Sequence, residues 1–192
     1  MLLVEFIAKF ATFYIFNKKL RRKYRNIIKT YLYGYNVIHK AKSIGKNLYV
    51  GGFSSVNKNT IMGNFVNFNG MQIHGRGDVI IGDYFHSGVE CLMITSNHNY
   101  EGELIPYDRT NINKSIIIDD FVWIGSRVMI LPGTHIGEGA IIQGGSVVHG
   151  NIPPYSIAGG NPAKVFKYRD IEHFKKLKED KKILDLIESK GN

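Results

Sequence analysis

Six aliphatic residues stand six apart in the second half of the chain: Ile118, Ile124, Ile130, Ile136, Ile142 and Val148. An α-helix repeats every 3.6 residues and a strand every two, so neither produces this spacing. A chain that turns a corner every six residues does. Four places after each of these residues comes a second column, Val122, Val128, Thr134, Ala140, Ser146 and Ile152, uncharged and mostly small or β-branched. The pattern predicts a three-sided prism in which each hexad is one short strand plus a corner, and three hexads, about eighteen residues, complete a coil. Ile118 then stacks on Ile136, Ile124 on Ile142 and Ile130 on Val148. Glycine is frequent here, at Gly125, Gly133, Gly137, Gly139, Gly144, Gly145 and Gly150, as corners with positive φ require.

The same beat runs more faintly through Ile44, Val50, Val56, Met62 and Phe68, with Ser54, Thr60 and Val66 as its small column. It slips by one residue before Ile81, which predicts an enlarged corner, and Ser87 and Met93 continue it poorly. Between His98 and Ile118 it vanishes, and residues 99–115 are expected to form a loop thrown out from the prism wall.

The two ends have helical patterns. In LLVEFIAKFATFYIF the polar Glu5, Lys9 and Thr12 form one stripe at i, i+4 and i+7. Charges within so short an apolar run argue against a spanning helix, and no basic start or cleavage site marks a secretory signal. The basic stretch NKKLRRKYRNIIK follows. Such a helix suits an anionic membrane surface, or packing on the open end of the prism or on a neighbouring subunit. At the other end Asp170 caps an expected helix whose apolar face uses Ile171, Phe174, Leu177, Ile183, Leu184 and Ile187 and shields the last coil. The expected organisation is a helical segment at 1–37, a β-domain at 38–168 and a C-terminal helix at 169–192.

Composition changes this picture little. The chain has 192 residues, ordinary for one domain, and 21 Gly with only 5 Pro suits turns rather than disorder. A lone Cys91 excludes an internal disulfide and is compatible with a reducing, cytoplasmic setting, free or peripheral at the inner face of the membrane. The net charge of +9 is concentrated toward the ends, where it serves either solubility or the holding of anionic ligands.

The hexad array, the run DFVWIGSRVMILPGTHIGEGAIIQGGSVV and the closing NIPPYSIAGGNPAKV resemble the hexapeptide-repeat acyltransferases, on the branch of the sugar (maltose and galactoside) and xenobiotic acetyltransferases, with similarity to O-acetyltransferases of surface-polysaccharide synthesis. The resemblance covers about residues 44–168 and implies a mainly β fold, a left-handed parallel β-helix of about five triangular coils flanked by the two helices. Handedness comes from the resemblance alone, since parallel crossovers are ordinarily right-handed. It implies acetyl-CoA as co-substrate, a homotrimer with active sites between subunits, and a saccharide or sugar-nucleotide acceptor; no metal and no nucleic acid is expected.

His98, in TSNHNY at the loop root, matches the family's catalytic base. A neutral imidazole can take a proton from an acceptor hydroxyl as that oxygen attacks the thioester, and pass it to the departing thiol. Glu90, Asp83 or a backbone carbonyl are candidates to orient it. By the same resemblance Trp123 and Gly144 lie along the pantetheine arm, the Ser126 amide faces the thioester carbonyl, and Lys164 and Lys167 sit near the nucleotide phosphates. The family's acceptor residues match poorly, with Arg76 where an acidic contact is expected, so Asn67, Asn69 and the loop bearing Tyr100, Glu103 and Tyr107 are acceptor candidates by position only. A zinc enzyme would need His74, His86 and His98 to converge, but their spacing of twelve spreads them over three faces. A non-catalytic scaffold remains the alternative on fold alone, and N-acetylation of an amino sugar the alternative within the chemistry.

Overall fold

The computed structural model describes residues 17–184. Helix α1 (Lys18–Lys40) leads into a parallel solenoid of short strands, and a second helix, α2 (Ile171–Glu179), follows it. One wall of the prism is a sheet of six parallel rungs: β1 (Ser43–Ile44), β3 (Thr60–Met62), β5 (Val79–Ile81), β9 (Ile116–Ile118), β12 (His135–Ile136) and β15 (Asn151–Ile152). The solenoid therefore has six turns where about five were expected.

The second wall is built by β2 (Tyr49–Gly52), the first halves of β4 (Asn67–His74) and β6 (His86–Ile94), then β10 (Trp123–Ile124), β13 (Ile141–Ile142) and β16 (Ser156–Gly160). The third takes the second halves of β4 and β6, followed by β11 (Met129–Ile130) and β14 (Val147–Val148).

The predicted stacking is present, with Ile118 opposite Ile136, Ile124 opposite Ile142 and Ile130 opposite Val148. Every member of both columns is buried. Buried hydroxyls of the small column are satisfied locally, Thr134 Oγ1 donating to the Leu131 carbonyl at 2.7 Å and Ser146 Oγ to that of Gln143 at 2.6 Å, so they cost little inside the prism. Ile152 departs from the expected frame: it pairs with Ile136 as a rung residue, because the corner at His149 and Gly150 is short. The enlargement expected before Ile81 lies at the third corner, since Ser55 stands opposite Gln72 but Met62 opposite Ile81, while register shifts between Val50 and Gly52 and between Asn67 and Asn69 disturb the second corner.

The first turn is covered by a helix, and one wall of the last turn is continued by a further strand. α1 presses Gly34 and Val37 onto the first turn, and a Cβ at Gly34 would stand 2.8 Å from the Val50 side chain, so only glycine lets the helix approach. Its polar side chains accept amides of the first turn that have no preceding rung: Thr30 Oγ1 takes the Val50 N–H at 3.1 Å and Asn36 Oδ1 takes that of Val56 at 3.2 Å. At the other end β17 (Ala163–Tyr168) folds back antiparallel on β16. The segment containing Glu5, Lys9 and Thr12, and Ile187, lie outside the described residues.

α2 begins at Asp170, whose carboxylate accepts the His173 amide at 2.9 Å as the cap. It does not shield the last turn as expected. It lies along the first corner, on a column of aromatic side chains in left-handed backbone conformation, Phe65, Tyr84 and Phe121, with φ of 57°, 57° and 58°. Each such residue costs about 1–2 kcal/mol, and each stacked pair returns about 0.5–1.5 kcal/mol. The rings are parallel within 5° and 4.6 and 4.9 Å apart. Gly139 leaves the next rung of this ladder empty, and Phe174 of α2 fills it, edge-on to Phe121 and 5.2 Å from the Tyr155 ring.

Candidate active site

His98 ends β7 (Ser96–His98), which pairs antiparallel with β8 (Asn111–Asn113), so the expected loop is a hairpin growing from the third corner. The base of its loop is ordered by its own polar groups, the Asp108 carboxylate accepting the Thr110 amide at 2.7 Å and the Thr110 hydroxyl at 2.6 Å. Those bonds hold the Asp108 carboxyl below its usual value. The His98 imidazole is exposed and lies flat on Tyr107, centroids 4.0 Å apart and planes within 10°. Neither acidic candidate orients it: Asp83 accepts the Asn64 amide at 2.7 Å at the first corner, and Glu90 pairs with Arg127 at 2.8 Å at the second.

The residues expected along the cofactor fall in one file elsewhere. Trp123 points outward from the second wall, half exposed. Ser126 sits at the second corner, its carbonyl accepting the Gly145 amide at 2.8 Å and its hydroxyl the Val89 amide at 3.2 Å. The Ser126 amide donates to no acceptor among the described residues. A Cβ at Gly88 would lie 2.4 Å from that nitrogen, so the rung beneath must be glycine. Gly144 follows on the next turn, and Lys164 and Lys167, both exposed, extend the file on β17 opposite Gly159 and Ile157. At one rung per roughly 4.8 Å, Ser126 and Lys164 are separated by about 15 Å along the prism.

His98 and this file are on different corners, divided by the third wall. A single protomer does not bring them together. The acceptor candidates divide the same way: Asn67 and Asn69 belong to the second wall and corner, Asn69 Nδ2 donating to Asn67 Oδ1 at 3.2 Å and to the Ser87 carbonyl at 2.8 Å, whereas Tyr100 and Glu103 are exposed on the hairpin. His74, His86 and His98 stand on the third wall, the second wall and the hairpin, apart from one another.

Sequence reasoning missed a cavity of about 510 Å³ between α2 and the second wall, lined by the aromatic ladder, Asn67, His86, Trp123 and Arg169. His86 is opposite Trp123 on adjacent rungs, and burial lowers its pKa, so it enters the cavity wall as neutral imidazole at neutral pH. The Arg169 guanidinium lies 5.2 Å from the Phe174 ring centroid, and its Nε is buried without a hydrogen-bond partner among the described residues. Only the outward alternation of Asn67, His86 and Trp123 hinted at this wall; the fold back of α2 left no periodic mark. Cys91 is buried with its thiol pKa raised by that burial, which makes it an inert core residue.

Residues 115–150 match the family model described as bacterial transferase hexapeptide (six repeats). A probable acetyltransferase of Mycobacterium tuberculosis is 35% identical over 138 residues, which is 67% of this chain and 44% of that protein. A galactoside O-acetyltransferase of Lactococcus lactis is 29% identical over 145 residues, 73% of this chain and 69% of its own length. The solved structure of a galactoside acetyltransferase in complex with coenzyme A superposes with a TM-score of 0.60 at 25% identity, covering 81% of this chain and 84% of that one. The chain thus spans less than half of the mycobacterial relative it matches. The six-turn prism and the repeat at residues 115–150 are those of the hexapeptide transferases, and the chain is similar over most of its length to a galactoside O-acetyltransferase.

Proposed function

We propose that this protein transfers an acetyl group from acetyl-CoA to a hydroxyl of a saccharide, in the building of a surface glycan, by direct attack with His98 as general base. The observation that carries the reading is the exposed His98 imidazole, held flat on Tyr107 at the root of a hairpin that interrupts a hexapeptide prism. In this reading the thioester lies along the file of Trp123, Ser126 and Gly144, with the Ser126 amide receiving the developing oxyanion and Lys164 and Lys167 near the phosphates. His98 accepts the hydroxyl proton as the acceptor oxygen attacks, and returns it to the coenzyme A sulfur as the tetrahedral intermediate collapses; no acyl-enzyme forms.

Because His98 and the file occupy different corners, the site is completed by a second copy, and a closed homotrimer supplies three such clefts. Mixing His98→Ala with Trp123→Ala subunits tests this: random assembly regenerates an intact cleft at about a quarter of interfaces, so activity returns where each variant alone has little. No recovery in verified mixed trimers rejects the shared site. Release of coenzyme A thiol, measured across a panel of sugars, tests the reaction itself. Unchanged turnover in His98→Ala rejects the mechanism.

The second reading is N-acetylation of an amino sugar, nucleotide-linked or free. It is favoured by the 510 Å³ cavity with its aromatic walls and its Arg169, room for more than a hexose. A neutral amine loses its proton after attack more easily than a hydroxyl, so His98→Ala then keeps appreciable activity at high pH.

A further inference from the structure

Charge is divided along this solenoid rather than scattered over it. Residues 6–77 contain thirteen Lys and Arg and no Asp or Glu, so the rest of the chain, from a net charge of +9, is acidic on balance. In a solenoid, position in sequence is height along the axis. The basic half is therefore one end of the prism, and α1 lies across that end.

α1 has two faces of different fate. Thr30, Gly34 and Val37 turn inward onto the first coil. At 100° per residue the opposite side carries Ile28, Tyr31, Leu32 and Tyr35, each more than half exposed, and the two tyrosine rings meet edge to face with centroids 6.2 Å apart. Arg21, Arg25 and Lys29, at i, i+4 and i+8, run beside this apolar stripe on one flank. The helix has no acidic residue in its 23 positions. Four large apolar side chains in water, aromatic with polar tips or aliphatic, bordered only by cations, have the composition of a helix lying in the headgroup region of an anionic bilayer. No helix among the described residues is long and apolar enough to cross a membrane, so the contact is with the surface.

We infer that the α1 end of the protein docks on an anionic lipid surface, with Ile28, Tyr31, Leu32 and Tyr35 seated at the boundary of the acyl chains and Arg21, Arg25 and Lys29 on the lipid phosphates. Charge complementarity selects lipid over a second copy of this chain, because two copies of a face bordered by cations repel one another. The docking is independent of the transfer reaction, which sits turns away at the hairpin and the second corner.

The test is sedimentation of the full-length protein with vesicles of phosphatidylcholine alone or with 30% phosphatidylglycerol, a composition of roughly bacterial charge density. Partitioning onto the anionic vesicles is expected to exceed that onto the neutral ones at least tenfold and to weaken in high salt. Each cation near the surface contributes about a fivefold change, so Arg21→Gln with Arg25→Gln lowers it by about twenty-five-fold. Leu32→Ser with Ile28→Ser lowers binding that remains in high salt. All four sites are on the outward face, and acetyl transfer to a soluble acceptor should be unchanged in every variant, which separates this docking from the catalytic reading. Equal binding to neutral vesicles, no binding to either, or binding indifferent to both double variants overturns the inference. So does a fall in oligomeric mass on Leu32→Ser with Ile28→Ser, since the face would then be a protein interface.

Discussion

The two halves of the prism solve the same packing problem differently. From Ile116 onward the interior is a uniform ladder, Ile118, Ile124, Ile130, Ile136, Ile142 and Val148, in near-constant register. Before it the interior is filled by Phe68, Met71, Phe85 and Met93, with Phe68 edge-on to Phe85 at 6.0 Å, and the register shifts at the second corner of two successive turns. Uniform rungs are interchangeable and leave nothing to distinguish one turn from the next. The irregular half trades that uniformity for special places: the hairpin bearing His98, the wall of Asn67 and His86, and the seat of α1. On the proposed reading, chemistry belongs where the repeat is broken, and the regular half supplies a straight file for a long cofactor.

The largest expected effect is in the irregular half. If the proposed mechanism holds, His98→Ala lowers turnover by about 10²–10⁴-fold and leaves the melting temperature unchanged because the ring is exposed. A melting shift of several degrees would make His98 a structural residue and break the contrast between the halves. Cavity-forming changes come next. Phe68→Ala should cost about 3–5 kcal/mol and Ile136→Ala about 2–5 kcal/mol in urea unfolding, since both are fully buried. Were Ile136→Ala the costlier, the uniform ladder would be the more rigid half.

Gly139→Ala sharpens the role of α2. The position has φ of +66° and a new Cβ would meet Phe174 and Tyr155 at 3.0 Å, so a loss of about 1–2 kcal/mol and increased proteolysis after Arg169 are expected. Unchanged protection would mean that α2 is not held by the aromatic ladder.

The smallest effects are in the response to acid. Burial depresses the pKa of His86 below its ordinary 6.5, so as pH falls below 6.5 the unfolded chain takes up a proton the folded one refuses, and stability declines until the folded imidazole is also charged. His86→Gln should flatten that decline. Burial would raise the carboxyl pKa of Glu138, but hydrogen bonds from Lys178 and Tyr155, with the Lys178 charge, outweigh it and hold it below 4.5. Its contribution, under about 1 kcal/mol, is present above that pH and lost as pH falls through the lowered value. Glu138→Gln should therefore lower stability by that small amount above pH 4.5 and flatten the decline only in the more acidic limb, and a change of slope near pH 6 would contradict this division.

Much of the fold was written in the spacing of residues. A corner every six positions has one geometric solution, so the columns, their stacking partners and the corner enlarged between Phe68 and Ile81 could be read from Ile44 to Val148 without coordinates. The Asp170 cap was equally local, a side chain meeting an amide three residues on. The hairpin was legible only as an interruption, because its order comes from Asp108, Thr110 and strand pairing across thirteen residues rather than from any period.

What tertiary structure alone decided is where non-repeating parts come to rest. The sequence determined the prism, because identical rungs specify their own neighbours at each turn. It left open that α2 would reach back to fill the gap over Gly139 and roof a cavity at His86 and Trp123, and that His98 and Ser126 would stand on separate corners. Those outcomes depend on contacts between residues tens of positions apart, each made once, and a contact made once leaves no rhythm to read.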